Sequence, residues 1–142
     1  MGTPIRILVA DDNSMVRRSI RMMLDAVDGI EVIGEAKDGR EAIDLVEELN
    51  PDVVIMDISM PNVDGLQATR AIHDMDTDAH VLILSMYATP TFVRQALRNG
   101  AGGYVLKRTL SDELLPALYR VHEGKRFLSH LLDQSAADFV ED

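Results

Sequence analysis

Val53-Val54-Ile55-Met56-Asp57-Ile58-Ser59-Met60-Pro61 is the stretch that decides the fold. Its first four residues are apolar, and Asn50-Pro51-Asp52 opens them with a turn. A short unbroken apolar run bounded by turn residues predicts a strand buried on both faces. This strand ends in a carboxylate. Burying an unpaired carboxylate is unfavourable by several kcal/mol, or the group neutralises. Asp57 therefore demands a compensating group, and the rest of the chain supplies candidates.

The same grammar repeats on both sides of that stretch. Ile5–Ala10 reads as a strand that runs into Asp11-Asp12-Asn13. Asn13 or Ser14 can cap a helix whose apolar residues Met15, Val16, Ile20, Met23, Leu24 and Val27 recur at helical spacing. Ile30–Ala36 is a more polar strand, expected at a sheet edge, and Gly39–Leu49 is a helix with Ala42, Ile43, Leu45, Val46 and Leu49 inward. After the central strand come a helix over Leu66–Met75, an apolar strand Val81–Leu84 ending at Ser85, and a helix opened by Pro90 and closed by Asn99-Gly100. Tyr104–Leu106 is a short strand ending at Lys107, and a fifth helix runs from Ser111 to about Glu123. Strand–helix alternation with short connections predicts parallel strands in a three-layer α/β fold with right-handed crossovers. Phe127–Val140 carries Leu128, Leu131, Leu132, Ala136 and Phe139 at spacing that suits an amphipathic helix. The expected division is a domain over 1–124 and a C-terminal linker or extra helix over 125–142.

Composition narrows the function classes. A chain of 142 residues suits one core, and 46% hydrophobic with 27% charged residues excludes a disordered chain. The absence of cysteine excludes disulfides and thiolate metal sites, and fits a reducing compartment. A formal net charge of −10 argues against nucleic-acid binding by these residues, since that binding rests on Lys and Arg neutralising phosphates. No apolar run is long enough to span a bilayer, so no membrane association is expected.

In a parallel α/β sheet, ligands bind beyond the carboxyl ends of the strands. The residues expected there are Asp11, Asp12, Asp57, Ser85 and Lys107. Taken singly, each has a plainer reading: Asp11-Asp12-Asn13 as a turn and helix cap, Ser85 as a turn residue, Lys107 as a solvated lysine. Taken together, three carboxylates in one cleft repel one another and require a cation. An all-oxygen donor set with no histidine or cysteine selects a hard divalent ion such as Mg²⁺. An Asp beside such an ion, an ammonium and a small hydroxyl is an arrangement for phosphoryl transfer onto the Asp.

At this point the sequence resembles the receiver domain of bacterial two-component response regulators. The residues that carry the resemblance are Asp11-Asp12, Val53–Asp57 with Met60-Pro61 and Asp64-Gly65, Ser85, and Gly100–Lys107. Arg108 after the lysine, with Ser111-Asp112-Glu113-Leu114 beyond, resembles the NarL/LuxR-type subclass, which carries a C-terminal helix-turn-helix. The resemblance implies a flavodoxin-like, doubly wound sheet of five parallel strands in order 2-1-3-4-5 with five helices, plus the C-terminal helical extension. It implies that Asp57 accepts a phosphoryl group from a sensor histidine kinase. It further implies that Asp11, Asp12, Asp57 and the Ser59 carbonyl hold Mg²⁺ or Mn²⁺, and that Lys107 and Ser85 assist. Ser85 and Tyr104 would then act as the switch, Tyr104 turning inward and changing the surface of the fourth helix, fifth strand and fifth helix. Homodimerisation on phosphorylation, a cytoplasmic location, and transcription control through a DNA-binding domain absent from these residues are the corresponding expectations.

Three competing functions fit these residues less well. A phosphohydrolase of the haloacid-dehalogenase type wants a second Asp two residues after the nucleophile, and Ser59 stands there. A nucleotide- or flavin-binding fold wants a glycine-rich loop after a strand, but the first strand ends in two aspartates and Gly100–Gly103 precede a strand. A receiver-like binding module that is never phosphorylated would not need the complete set of acidic, hydroxyl and ammonium groups present here.

Overall fold

Strand β3 (Val53–Asp57) is buried at every residue and forms the middle of the sheet. The computed structural model describes residues 2–132 and 134. Side chains of β3 alternate between two cores. Val53 and Ile55 pack on one side, Val54 and Met56 on the other. Burying such a side chain on either face stabilises by about 1.5–3 kcal/mol.

The remaining elements follow as strand and helix in turn: β1 (Ile5–Ala10), α1 (Ser14–Asp25), β2 (Ile30–Ala36), α2 (Gly39–Leu49), then β3. After it come α3 (Gly65–His73), β4 (His80–Ser85), α4 (Pro90–Arg98), β5 (Gly103–Leu106) and α5 (Leu110–His122). All pairings are parallel, in the order β2-β1-β3-β4-β5 with a further strand beyond β5. Helices α1 and α5 cover one face through Ile20, Leu24, Leu114, Leu118 and Val121. Helices α2, α3 and α4 cover the other through Ala42, Val46, Ala68, Ile72, Val93 and Ala96. This is the expected flavodoxin-like fold, with β2 at one edge as its polar alternation implied.

Local sequence explains the helix starts. The Asn13 side chain accepts from the amides of Met15 and Val16 to begin α1. Asp64 and Gln67 form a reciprocal capping box that begins α3 one residue earlier than Leu66. Pro90 occupies the first turn of α4, where its missing N–H has no partner to lose.

The C-terminal stretch departs from expectation. Phe127–Leu128 forms a sixth strand, β6, rather than the start of a helix. Gly124, with φ of +81°, ends α5 and returns the chain alongside β5. The Phe127 amide donates to the Gly102 carbonyl at 3.3 Å and the Ser129 amide to the Tyr104 carbonyl at 2.9 Å. The open edge of β5 offers these backbone partners, which helical spacing in the side chains does not reveal. Leu132 then packs into the core that holds Tyr104. The rest of the expected helix, 133 and 135–142, lies outside the described residues.

Candidate functional site

Asp57 ends β3 with only 5% of its surface exposed. Its backbone is fixed from below by α3. A Cβ added at Gly65 would lie 1.8 Å from the Asp57 carbonyl oxygen, so only glycine permits this approach. The Gly65 amide donates to the Ile58 carbonyl at 2.8 Å.

Asp11 directly follows β1 and is buried. Its amide donates to the Ala36 carbonyl, its Oδ1 accepts from the Asn13 amide at 2.9 Å, and its carbonyl accepts from Arg17 Nη1 at 2.7 Å. These three bonds hold the carboxylate toward β3. Asp12, next along, is exposed. Lys107 follows β5, and its Nζ sits 3.1 Å from Asp11 Oδ2 and 3.5 Å from Asp57 Oδ2. Asp11, Asp12 and Asp57 each offer a carboxylate oxygen, all within 4.8 Å of one another. The sheet thus brings together the acidic residues and the lysine that the sequence singled out.

Charge at this rim is unbalanced. Burial, then the neighbouring Asp11 carboxylate, lift the Asp57 carboxyl from 3.8 to about 6, with Lys107 opposing and Asp12 adding to the rise. Burial pulls the Lys107 ammonium down, but Asp11 and Asp57 outweigh it and the net shift is upward. One lysine faces three acids. Asp11 Oδ2 lies within ion-pair range of Lys107 yet is buried without a hydrogen bond. Three carboxylates against a single ammonium are a donor set suited to a hard divalent cation.

Ser85 and Tyr104 reach this rim through one residue. Ser85 is fully buried at the end of β4, and its Oγ accepts from the Tyr87 amide at 2.9 Å. The Tyr104 hydroxyl donates to the Tyr87 carbonyl at 2.6 Å. Tyr104 is itself fully buried, and burial pushes its phenol up to about 12 against the Ser85 hydroxyl, which acts the other way. The inward position that the resemblance reserves for the phosphorylated form is therefore already occupied. Ser59 is exposed, and its Oγ lies 3.1 Å from the Tyr87 hydroxyl, whose ring stacks on Phe92 at 4.5 Å.

Sequence reading did not find two features. Gly65 carried part of the resemblance, but its close approach to Asp57 was not legible, since it depends on how α3 docks. Glu113, an ordinary first-turn acid in the sequence, is buried among Thr109, Ser129 and His130. No helix among the described residues is long and apolar enough to cross a membrane.

Comparison with known proteins places this geometry in context. Residues 7–119 match the response regulator receiver domain model. Response regulator GacA of Pseudomonas aeruginosa is 35% identical over 133 residues, which is 94% of this chain and 62% of that protein. Other curated relatives are likewise longer, and the chain spans about half to three fifths of their length. A LuxR-family two-component response regulator from Aurantimonas sp. SI85-9A1 superposes with a TM-score of 0.89 at 35% identity, covering 96% of this chain and 97% of that one. The isolated receiver domain of RcsB from Salmonella enterica, solved with the phosphomimetic BeF3−, gives 0.81 at 27% identity over 98% of this chain and all of that one.

Proposed function

The chain belongs to the response regulator receiver domain family, and from that premise we propose that Asp57 is its phosphoacceptor. The observation that carries the reading is the Asp57 carboxylate, buried at a strand end, 3.5 Å from Lys107 and clustered with Asp11 and Asp12. A sensor histidine kinase is the proposed donor. An Asp57 oxygen attacks phosphorus, the P–N bond of the donor's phosphohistidine breaks, and its electron pair returns to the imidazole.

The other residues have distinct parts. Asp11, Asp12, Asp57 and the Ser59 carbonyl are the proposed holders of Mg²⁺ or Mn²⁺, which when bound supplies positive charge for the phosphoryl oxygens. Lys107 neutralises a further oxygen of the transferring group. Ser85 Oγ accepts from the Tyr87 amide, and its hydroxyl is the proposed donor to a phosphoryl oxygen. Tyr104 is the proposed second switch residue, since its hydroxyl holds the same Tyr87.

The output proposed is a change at the surface of α4, β5 and α5 that controls homodimerisation and, through a DNA-binding region outside these residues, transcription. RcsB has been solved as dimers bound to DNA, which supports this reading by analogy. A cytoplasmic location goes with it. The test is labelling by a small phosphodonor with Mg²⁺. Asp57→Ala should abolish incorporation, and undiminished labelling of that variant would refute the assignment.

A further inference from the structure

The segment after α5 is tied to the protein at three levels. Its backbone extends the sheet at Phe127–Leu128. Its Leu132 is buried in the core cluster that also holds Tyr104. Its polar groups converge on one buried acid, where Ser129 Oγ, the His130 amide and His130 Nδ1 all meet the Glu113 carboxylate, with Thr109 Oγ1 donating to the same oxygen as Ser129. Ser129 is fully buried and its amide donates to the Tyr104 carbonyl. None of these bonds is made to Asp11, Asp12 or Asp57, and nothing in the phosphoryl chemistry requires them.

Tyr104 joins the two regions. Leu128 lies opposite it in the sheet register, and Ser129 bonds its backbone. On the other side its hydroxyl holds the Tyr87 carbonyl, and the Tyr87 amide holds Ser85 Oγ. A continuous path therefore runs from Glu113 through Ser129, Tyr104 and Tyr87 to the hydroxyl at the rim.

We propose that Phe127–Leu132 is a strap, anchored on Glu113, that pins Tyr104 inward and so pre-orients Ser85 for a phosphoryl group on Asp57. Glu113 and Ser129 are then positioning residues. The inference rests on the reading of Asp57 as phosphoacceptor. Pre-orientation strengthens binding because the loop after β4 need not be ordered when the ligand arrives. Releasing the strap restores that ordering penalty, so affinity for a phosphoryl mimic falls.

The test is a beryllofluoride titration with Mg²⁺ on the full chain, followed by backbone amide NMR. Signals of Asp57 and Ser85 report the rim, and exchange at the Phe127 and Ser129 amides reports the strap. Glu113→Gln keeps the shape and removes the charge, and Ser129→Ala is the second variant should the first fail to fold. Ile43→Val, in α2 away from both regions, is the control for general destabilisation. The expected result is faster strap exchange in either variant with beryllofluoride affinity reduced about 5-fold or more, while Ile43→Val binds as the native chain does. A freed strap with unchanged affinity overturns the proposal, and so does a strap that stays protected in both variants. If the native chain shows no shift at Asp57 or Ser85, the phosphoacceptor reading itself fails and the strap proposal falls with it.

Discussion

Replacing Asp57 by asparagine should make this fold more stable as pH rises. The substitution keeps the side chain's size and removes its charge. Burial first, and then Asp11, hold the native carboxyl at about 6 rather than 3.8. The folded state therefore keeps its proton longer than the unfolded chain does. Its favourable contribution is complete below about 3.8 and is lost as pH rises through about 6. That interval corresponds to about 3 kcal/mol in full, and screening by water at the open rim reduces it to about 1–2 kcal/mol. Asparagine has no such loss. The stability gap between Asp57→Asn and the native chain should widen by about 1–2 kcal/mol between about pH 4 and about pH 8.

Urea unfolding followed by circular dichroism, in chelator, measures the gap by linear extrapolation. Mg²⁺ provides an internal check. At about ten times its Kd it should stabilise the native chain by about 1.4 kcal/mol through mass action, and the asparagine variant by much less. A gap that does not change with pH would refute the reasoning, as would an asparagine variant that loses stability relative to the native chain toward alkaline pH.

Two further outcomes follow from the same geometry. Lys107→Ala removes the ammonium that lies 3.1 Å from Asp11 and 3.5 Å from Asp57, and labelling by a small phosphodonor should slow by about 10²-fold or more, measured as initial rate at saturating Mg²⁺. Gly65→Ala places a methyl 1.8 Å from the Asp57 carbonyl oxygen, so α3 must shift; urea unfolding should show a loss of about 3 kcal/mol, with the Asp57 amide signal displaced.

The sheet and the site were legible for one physical reason. In a parallel sheet each buried strand must be apolar until it ends, so a charge at a strand end marks the rim. Asp11, Asp57 and Lys107 stand out against Leu8-Val9-Ala10, Val53–Met56 and Val105-Leu106 because those runs are buried. Position in the sequence thus became position in space. The strap was not legible by the same logic. Phe127 and Leu128 are only partly buried, and what recruits them is the backbone of β5, which carries no side-chain signature. Glu113 was obscured because its partners Ser129 and His130 lie 16 and 17 residues away and meet it only once β6 has formed. An inward Tyr104 was expected only from the resemblance and only on phosphorylation, since the hydrogen bond to the Tyr87 carbonyl that holds it here is encoded by no residue pattern.

The position of Tyr104 bears on how such a switch can work. Coupling between sites in proteins is commonly about 1–3 kcal/mol, and 1–2 kcal/mol shifts a two-state population by about 5–30-fold. A phosphoryl group at Asp57 therefore cannot drive an arrangement that is strongly disfavoured beforehand. It can only tip one that is close to balance. A single hydrogen bond such as that from Tyr104 to the Tyr87 carbonyl contributes about 0.5–1.5 kcal/mol net, which is within that range. Under the strap proposal, the Ser129 amide bond to the Tyr104 carbonyl acts on the same balance. On the proposed reading, the setting of the switch is shared between the acidic rim and the chain that leaves α5, and changes at either end should be felt at the other.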